Sequence, residues 1–117
     1  MTRVLLFGAG GMLGRDLAAE APQHIELIPR LRRDADIADG TSVKKAMESV
    51  RPNLVINAAG YTDVDGAETD PDRARQVNGL APGIVGLAAA HAGAAVIHYS
   101  TDYVFTGTHG RPLREDD

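Results

Sequence analysis

Residues 3–14 read Arg3-Val4-Leu5-Leu6-Phe7-Gly8-Ala9-Gly10-Gly11-Met12-Leu13-Gly14. Val4 to Phe7 form a short apolar run that stops abruptly at glycine, as a buried parallel strand does. From Met12 to Glu20 the pattern changes period. Leu13 and Leu17 lie one helical turn apart, with Arg15, Asp16 and Glu20 directed outward, which predicts a helix. The glycines join the two. Gly8 permits a tight turn, Gly11 leaves out a side chain that would hold a pyrophosphate away from the helix N-terminus, and Gly14 lets helix and strand pack closely. The spacing is G-x-x-G-x-x-G with Leu at 13, so the G-x-G-x-x-G form is not met. A bare glycine triplet is only a turn. Placed between strand and helix, it points to a dinucleotide.

Further along, residues 24–29 (HIELIP) predict a second strand. Residues 41–50 carry Val43, Ala46, Met47 and Val50 at i, i+3, i+4 and i+7, a helical stripe that Asp39 or Thr41 can cap and Pro52 follows. Leu54 to Ile56 is the next buried strand. Asp70-Pro71 is an N-cap followed by proline at the first helical position, opening a long helix to about His91 with a kink at Pro82. Ala94 to Tyr99 (AAVIHY) is a further strand. This β-α alternation predicts an α/β fold, a Rossmann-like doubly wound parallel sheet with helices on both faces and right-handed crossovers. Residues 106–117, rich in glycine, proline and charge, read as a loop interrupted midway. The fold is therefore expected to be truncated after about five strands, with residues 1–117 forming an incomplete NAD(P)-binding domain.

Composition narrows the partners. The 117 residues hold 16 acidic and 12 basic side chains, a net charge of −4, without the basic excess that a nucleic-acid or anionic-membrane surface needs. Apolar residues make 44% and charged residues 24%, as in globular proteins. No apolar run approaches the ~20 residues of a membrane span, and the apolar start is too short for a signal peptide. Cysteine is absent, which excludes disulfide and cysteine–zinc scaffolds and fits a reducing cytoplasm, the expected location. His24, His91, His98 and His109 have no metal-ligand spacing and read as surface or strand positions, so no metal is expected.

The tip of the second strand bears on the cofactor. An acidic residue there holds a ribose 2′-hydroxyl, and arginine accommodates a 2′-phosphate. Here Pro29-Arg30-Leu31-Arg32-Arg33 has no carboxylate before Asp34. Arg30 therefore favours NADP (NADPH), with NAD the alternative and simple solvation of the arginines the bland reading.

Three more segments fall at the C-terminal ends of predicted strands, where ligands bind in open α/β sheets. They are Asp34 to Asp39 (DADIAD), Asn57 to Asp65 (NAAGYTDVD) and Ser100 to Phe105 (STDYVF). With the glycine loop, they resemble the dTDP-4-dehydrorhamnose reductase family of extended short-chain dehydrogenase/reductases. Val77-Asn78 and Ala81-Pro82 fit that family's intervening helix. The resemblance spans nearly all of this chain but only about the first two-fifths of a family member.

The resemblance implies NADPH-dependent reduction of the 4-keto group of dTDP-4-dehydrorhamnose to give dTDP-L-rhamnose, a nucleotide-sugar substrate, and a homodimer for the full-length form. Carried over by position, Gly8, Gly11, Met12 and Leu13 line the diphosphate, and Asp36 and Ile37 flank the adenine. Ala58, Ala59 and Tyr61 border the nicotinamide ribose, and Asn78 braces the active-site backbone. Thr101 matches the catalytic hydroxyl that bonds the substrate carbonyl. Asp102, Tyr103 and Val104 shape the substrate pocket. On residue type alone Thr101 also reads as a strand-end hydrogen-bonder, Asn78 as a solvated helix residue, and Ala58-Ala59 as small-residue packing.

One departure qualifies the resemblance. The family's proton donor is a tyrosine with lysine four residues later. The lysines here are Lys44 and Lys45, and none of Tyr61, Tyr99 and Tyr103 has lysine at that offset. The 117 residues alone are therefore expected not to turn over. Two other readings stand beside the reductase: a non-catalytic NADP-binding regulatory module, and another sugar-nucleotide epimerase or dehydratase of the extended family, which STDYVF disfavours.

Overall fold

In a computed structural model, which describes residues 1–117 with the side chain of Val64 excepted, four strands form one parallel sheet. They are β1 (Thr2–Phe7), β2 (Ile25–Arg30), β3 (Leu54–Asn57) and β4 (Ala95–His98), in the order β2-β1-β3-β4. Between them run α1 (Met12–Glu20), α2 (Gly40–Val50), α3 (Val64–Thr69), α4 (Pro71–Ala74), a π-helical segment (Arg75–Leu80) and α5 (Ala81–His91). The sheet has four strands where about five were expected. The four extended runs of the sequence account for all of them, and past His98 the backbone adds no strand, making a 3-10 turn at Asp102–Val104 and a hydrogen-bonded turn from Arg114 to Asp117.

The register aligns the strand ends. Phe7 pairs with Arg30 on one side and Asn57 on the other, and Asn57 pairs with His98. The step from β1 to β2 runs opposite to the step from β2 across to β3, so right-handed crossovers put α1 and α2 on opposite faces. Alternation along β1 shows both faces covered. Leu5 and Phe7 join the cluster made by α2 and α5 with Val55, while Val4 and Leu6 are just as buried on the other side. β4 is the exception, with all four residues exposed. Val96 and Ile97 lie on the sheet's open edge.

Local chemistry explains most boundaries. Asp39 caps α2, its Oδ1 accepting from the Thr41 amide at 3.0 Å. α4 opens at Asp70-Pro71, with the Asp70 side chain accepting from the Arg73 amide. The long helix expected from there is continuous but not kinked in the simple sense. It widens into the π segment just before Pro82, whose missing N–H cannot complete an α turn. The Ala81 amide bonds the carbonyl of Gln76, five residues back. α3 was not expected as a helix; Asp63 caps it by accepting from the Gly66 amide at 2.9 Å.

Candidate functional site

The strand order reverses between β1 and β3, which makes the crevice beyond their C-terminal ends a topological switch point. Gly8 sits there with φ +77°. A Cβ on Gly8 would collide with the backbone of Ala58 and Ala59, and one on Gly14 would meet the carbonyl oxygen of Gly8 and lie 2.8 Å from Ala9 Cα. Strand, helix and the post-β3 segment therefore meet backbone to backbone. The loop is tied down by Gly11 N–H donating to the Gly8 carbonyl (3.2 Å), Ala9 N–H to the Arg30 carbonyl (3.2 Å) and Ala58 N–H to the Phe7 carbonyl (3.0 Å).

The N-terminus of α1 opens onto this crevice. Gly11 is its N-cap, no side chain caps it, and its first turn carries no acidic residue. The leading amides of a helix lack intrahelical acceptors and lie at the positive end of its dipole. Met12 and Leu13, which carry two of those amides, expose apolar side chains, Met12 at 87%. Gly11 has open space around it, the nearest atom to an added Cβ being the Gly8 oxygen at 3.6 Å. A diphosphate fits this cradle: unshielded donors, no competing anion, and glycines where side chains would obstruct.

The remaining expected residues divide by exposure. Arg30 ends β2, partly buried, with Nη1 donating to the Pro29 carbonyl. Asp36 is already engaged: Oδ1 accepts from the Ala38 amide at 3.0 Å, and Oδ2 lies 3.5 Å from Arg73 Nη2 and 3.9 Å from Arg32 Nε. Ile37 buries its side chain in the core at 3% exposure, packed with the α2 and α5 cluster, rather than presenting it at the crevice. Ala58, Ala59 and Tyr61 are partly buried along the segment that follows β3. Asn78, from the π segment, pairs with the Tyr61 backbone in both directions.

Thr101 lies three residues past β4 on the same edge of the sheet, exposed. Its Oγ1 accepts from the Tyr103 amide at 3.2 Å and donates to Asp102 Oδ1 at 3.3 Å, capping the 3-10 turn. To donate to a carbonyl the hydroxyl must turn from Asp102. Tyr103 and Val104 are open to solvent at 78% and 65%. A concavity of about 310 Å³ runs along β2, lined by Arg3, Glu26, Ile28, Arg30, Ser49 and Val50. Arg3 bonds Glu26 and the Val50 carbonyl within it, both at 3.0 Å, and Arg30, at the end of β2, lines it as well.

Sequence reasoning passed over two residues. Asn57 is 1% exposed, the one buried polar side chain among those described, and it bonds both the Ala59 amide and His98. An amide side chain closing the apolar run Leu54-Val55-Ile56 was the available signal. Arg73 approaches Asp36 across 37 residues of sequence, which no local pattern reveals. Among the described residues, no group of three or more His, Cys, Asp or Glu side chains could hold a metal, and no helix is long and apolar enough to cross a membrane.

Comparison with known proteins agrees with this geometry. Residues 1–117 match the family described as the RmlD substrate binding domain. A dTDP-4-dehydrorhamnose reductase of Burkholderia thailandensis is 39% identical over 115 residues, covering 98% of this chain and 39% of the relative. Among solved structures, a dTDP-4-dehydrorhamnose reductase ortholog from Clostridium acetobutylicum superposes with a TM-score of 0.94 at 37% identity, over 99% of this chain and 42% of that one. The enzyme from Bacillus anthracis, solved in complex with NADP, gives 0.88 at 35% identity, over 92% and 39%. The chain thus spans about two-fifths of the relatives it matches. A match that runs from Met1 to Asp117, on a fold whose glycine turn meets the post-β3 backbone at the switch point, means that this chain belongs to the dTDP-4-dehydrorhamnose reductase family.

Proposed function

We propose that this chain forms the dinucleotide-binding part of an NADPH-dependent reductase that converts dTDP-4-dehydrorhamnose to dTDP-L-rhamnose. The observation that carries the reading is the uncapped N-terminus of α1, opened by Gly8 and Gly11 against the Ala58-Ala59 backbone. The NADP held by the Bacillus anthracis relative supports it.

In this reading the Met12 and Leu13 amides hold the diphosphate, with Gly8 and Gly11 leaving room for it. Arg30 faces the 2′-phosphate, and Asp36 with the backbone of Ile37 borders the adenine. Ala58, Ala59 and Tyr61 border the nicotinamide ribose, and Asn78 keeps that segment in place. A nicotinamide held there would supply the hydride for reduction of the sugar's 4-keto carbon. Thr101, turning its hydroxyl from Asp102, donates a hydrogen bond to the carbonyl oxygen as negative charge develops there. Asp102, Tyr103 and Val104 shape the sugar side. No tyrosine of these 117 residues has a lysine four positions on, so they hold no activated proton donor of that kind.

The test is fluorescence enhancement of NADPH on titration with the protein. Enhancement is expected, with Gly11→Asp abolishing it. A Cβ at Gly11 meets nothing closer than 3.6 Å, and a melting temperature for Gly11→Asp close to the parent's shows that the loss reports charge against the diphosphate rather than misfolding. A folded sample that gives no enhancement at millimolar NADPH overturns the reading. Binding without NADPH oxidation by residues 1–117 in the presence of the 4-keto sugar is the expected outcome for turnover; oxidation would show that the donor lies within them.

A further inference from the structure

Asn57 and His98 end adjacent parallel strands in register, and their side chains meet across the gap, Asn57 Nδ2 to His98 Nδ1 at 3.2 Å. The direction of this bond follows from the rest of the network. The Ala59 amide can only donate, and it does so to Asn57 Oδ1 at 3.2 Å. That commits the oxygen and leaves Nδ2, a pure donor, facing the imidazole. His98 Nδ1 must therefore accept, and the ring carries its proton on Nε2.

Ala59 is the residue whose amide stands where a Cβ on Gly8 would intrude. A chain of contacts thus runs from His98 on β4, through the buried Asn57, to the backbone that closes the crevice opposite the glycine loop. Thr101 leaves the same strand three residues after His98. Buried polar groups need partners, and without His98 the Nδ2 group of Asn57 has no acceptor among the described residues. The amide is then free to rotate and release Ala59.

We infer that His98 is a positioning residue, which through Asn57 fixes the Ala59 amide and with it the wall of the crevice that receives the dinucleotide. This rests on the reading of that crevice as an NADPH site. It assigns His98 no contact with substrate or cofactor.

The experiment uses the intact protein with two variants. His98→Ala removes the acceptor, and His98→Asn restores one, because the asparagine Oδ1 occupies the place of Nδ1. Four quantities are measured: the NADPH dissociation constant, the melting temperature, hydrogen exchange of the Ala59 amide, and the His98 tautomer by nitrogen NMR. Expected are an Nε2–H tautomer in the parent and faster Ala59 exchange in His98→Ala. The dissociation constant should rise by about five- to tenfold, the worth of one hydrogen bond, and His98→Asn should recover both. Unchanged Ala59 exchange in His98→Ala, or an Nδ1–H tautomer in the parent, overturns the inference. So does a lowered melting temperature with an unchanged dissociation constant, which is what a purely structural role gives. If the parent binds no NADPH while Ala59 exchange still follows His98, the cofactor reading of the crevice fails and the positioning of Ala59 by His98 stands.

Discussion

Asn78 and Tyr61 are joined by a reciprocal pair of hydrogen bonds. The Tyr61 amide donates to Asn78 Oδ1 at 2.7 Å, and Asn78 Nδ2 donates to the Tyr61 carbonyl at 2.9 Å. One side chain thus does for Tyr61 what a neighbouring strand would do, in a stretch beyond the end of β3 where no strand reaches. It comes from the π segment that Pro82 terminates, so a helical irregularity places the residue that holds the crevice's loop.

Asn78→Ala leaves both Tyr61 backbone groups to water. The pair is exposed, so the cost to folding is expected to be modest, about 1 kcal/mol in chemical denaturation. NADPH affinity should fall by more than stability does. Asn78→Asp keeps the acceptor but not the donor, and should give an intermediate affinity. Equal affinities for all three proteins would show that the bracing has no bearing on the site.

Gly14 and Gly10 should behave oppositely. Alanine at 14 would force backbone against backbone, at the Gly8 carbonyl and at Ala9 Cα, neither of which can swing away. Gly14→Ala is expected to lose on the order of 3 kcal/mol or to fail to fold. Alanine at 10 meets only the Leu31 Cδ2 methyl at 3.1 Å, which can rotate aside. Thermal melts of the two variants separate these cases, with Gly10→Ala close to the parent.

Arg30 ends β2 beside the glycine loop, while Arg32 leans toward Asp36 at 3.9 Å. Arg30→Ala is expected to weaken NADPH binding by about ten- to a hundredfold and leave NADH nearly unaffected, since a charge-assisted hydrogen bond to phosphate is worth roughly 1.5–3 kcal/mol. Titrations with both cofactors measure the ratio. An equal loss for both would remove Arg30 from the 2′-phosphate.

Arg111 clasps Asp117 through both guanidinium ends at 2.7 Å, and the Arg114 amide donates to the same carboxylate at 2.7 Å. The Arg111 side chain first, and the Arg114 amide second, hold the Asp117 carboxyl below its ordinary 3.8. A depressed carboxylate pKa stabilises the closed loop in full above that ordinary value, and the closure is lost as pH falls through the lowered one. Carbon NMR of the Asp117 carboxyl should show a titration below 3.8, returning toward it in Arg111→Gln. The pair is solvent-exposed, so high salt should weaken the effect.

Much of this protein follows from local chemistry. Short apolar runs placed all four strands to within a residue or two at each end, although only β1 and β3 have fully buried residues and β4 is exposed throughout. Asp39, Asp70 and Pro71 marked helix starts through side-chain acceptors and a fixed φ, and the Gly8 turn announced itself between strand and helix. The glycine loop and the three family segments each follow a strand of the sheet, at or shortly beyond its C-terminal end. What local pattern could not supply was anything resting on contacts between distant positions. α3 is six residues long, too short for a periodic stripe, and is held by the Asp63 cap. The π segment needed the whole run from Asp70 past Pro82 to be built before its register could be known. Ile37 belongs to the core although it sits in an acid-rich segment. Asn57 reaches His98 across 41 residues, and Asp36 reaches Arg73 across 37. Strand register alone decides the first pair, and helix-to-loop packing the second. Propensity acts over a turn or a strand, whereas a polar side chain's partner is fixed by which elements become neighbours, and only the folded sheet settles that.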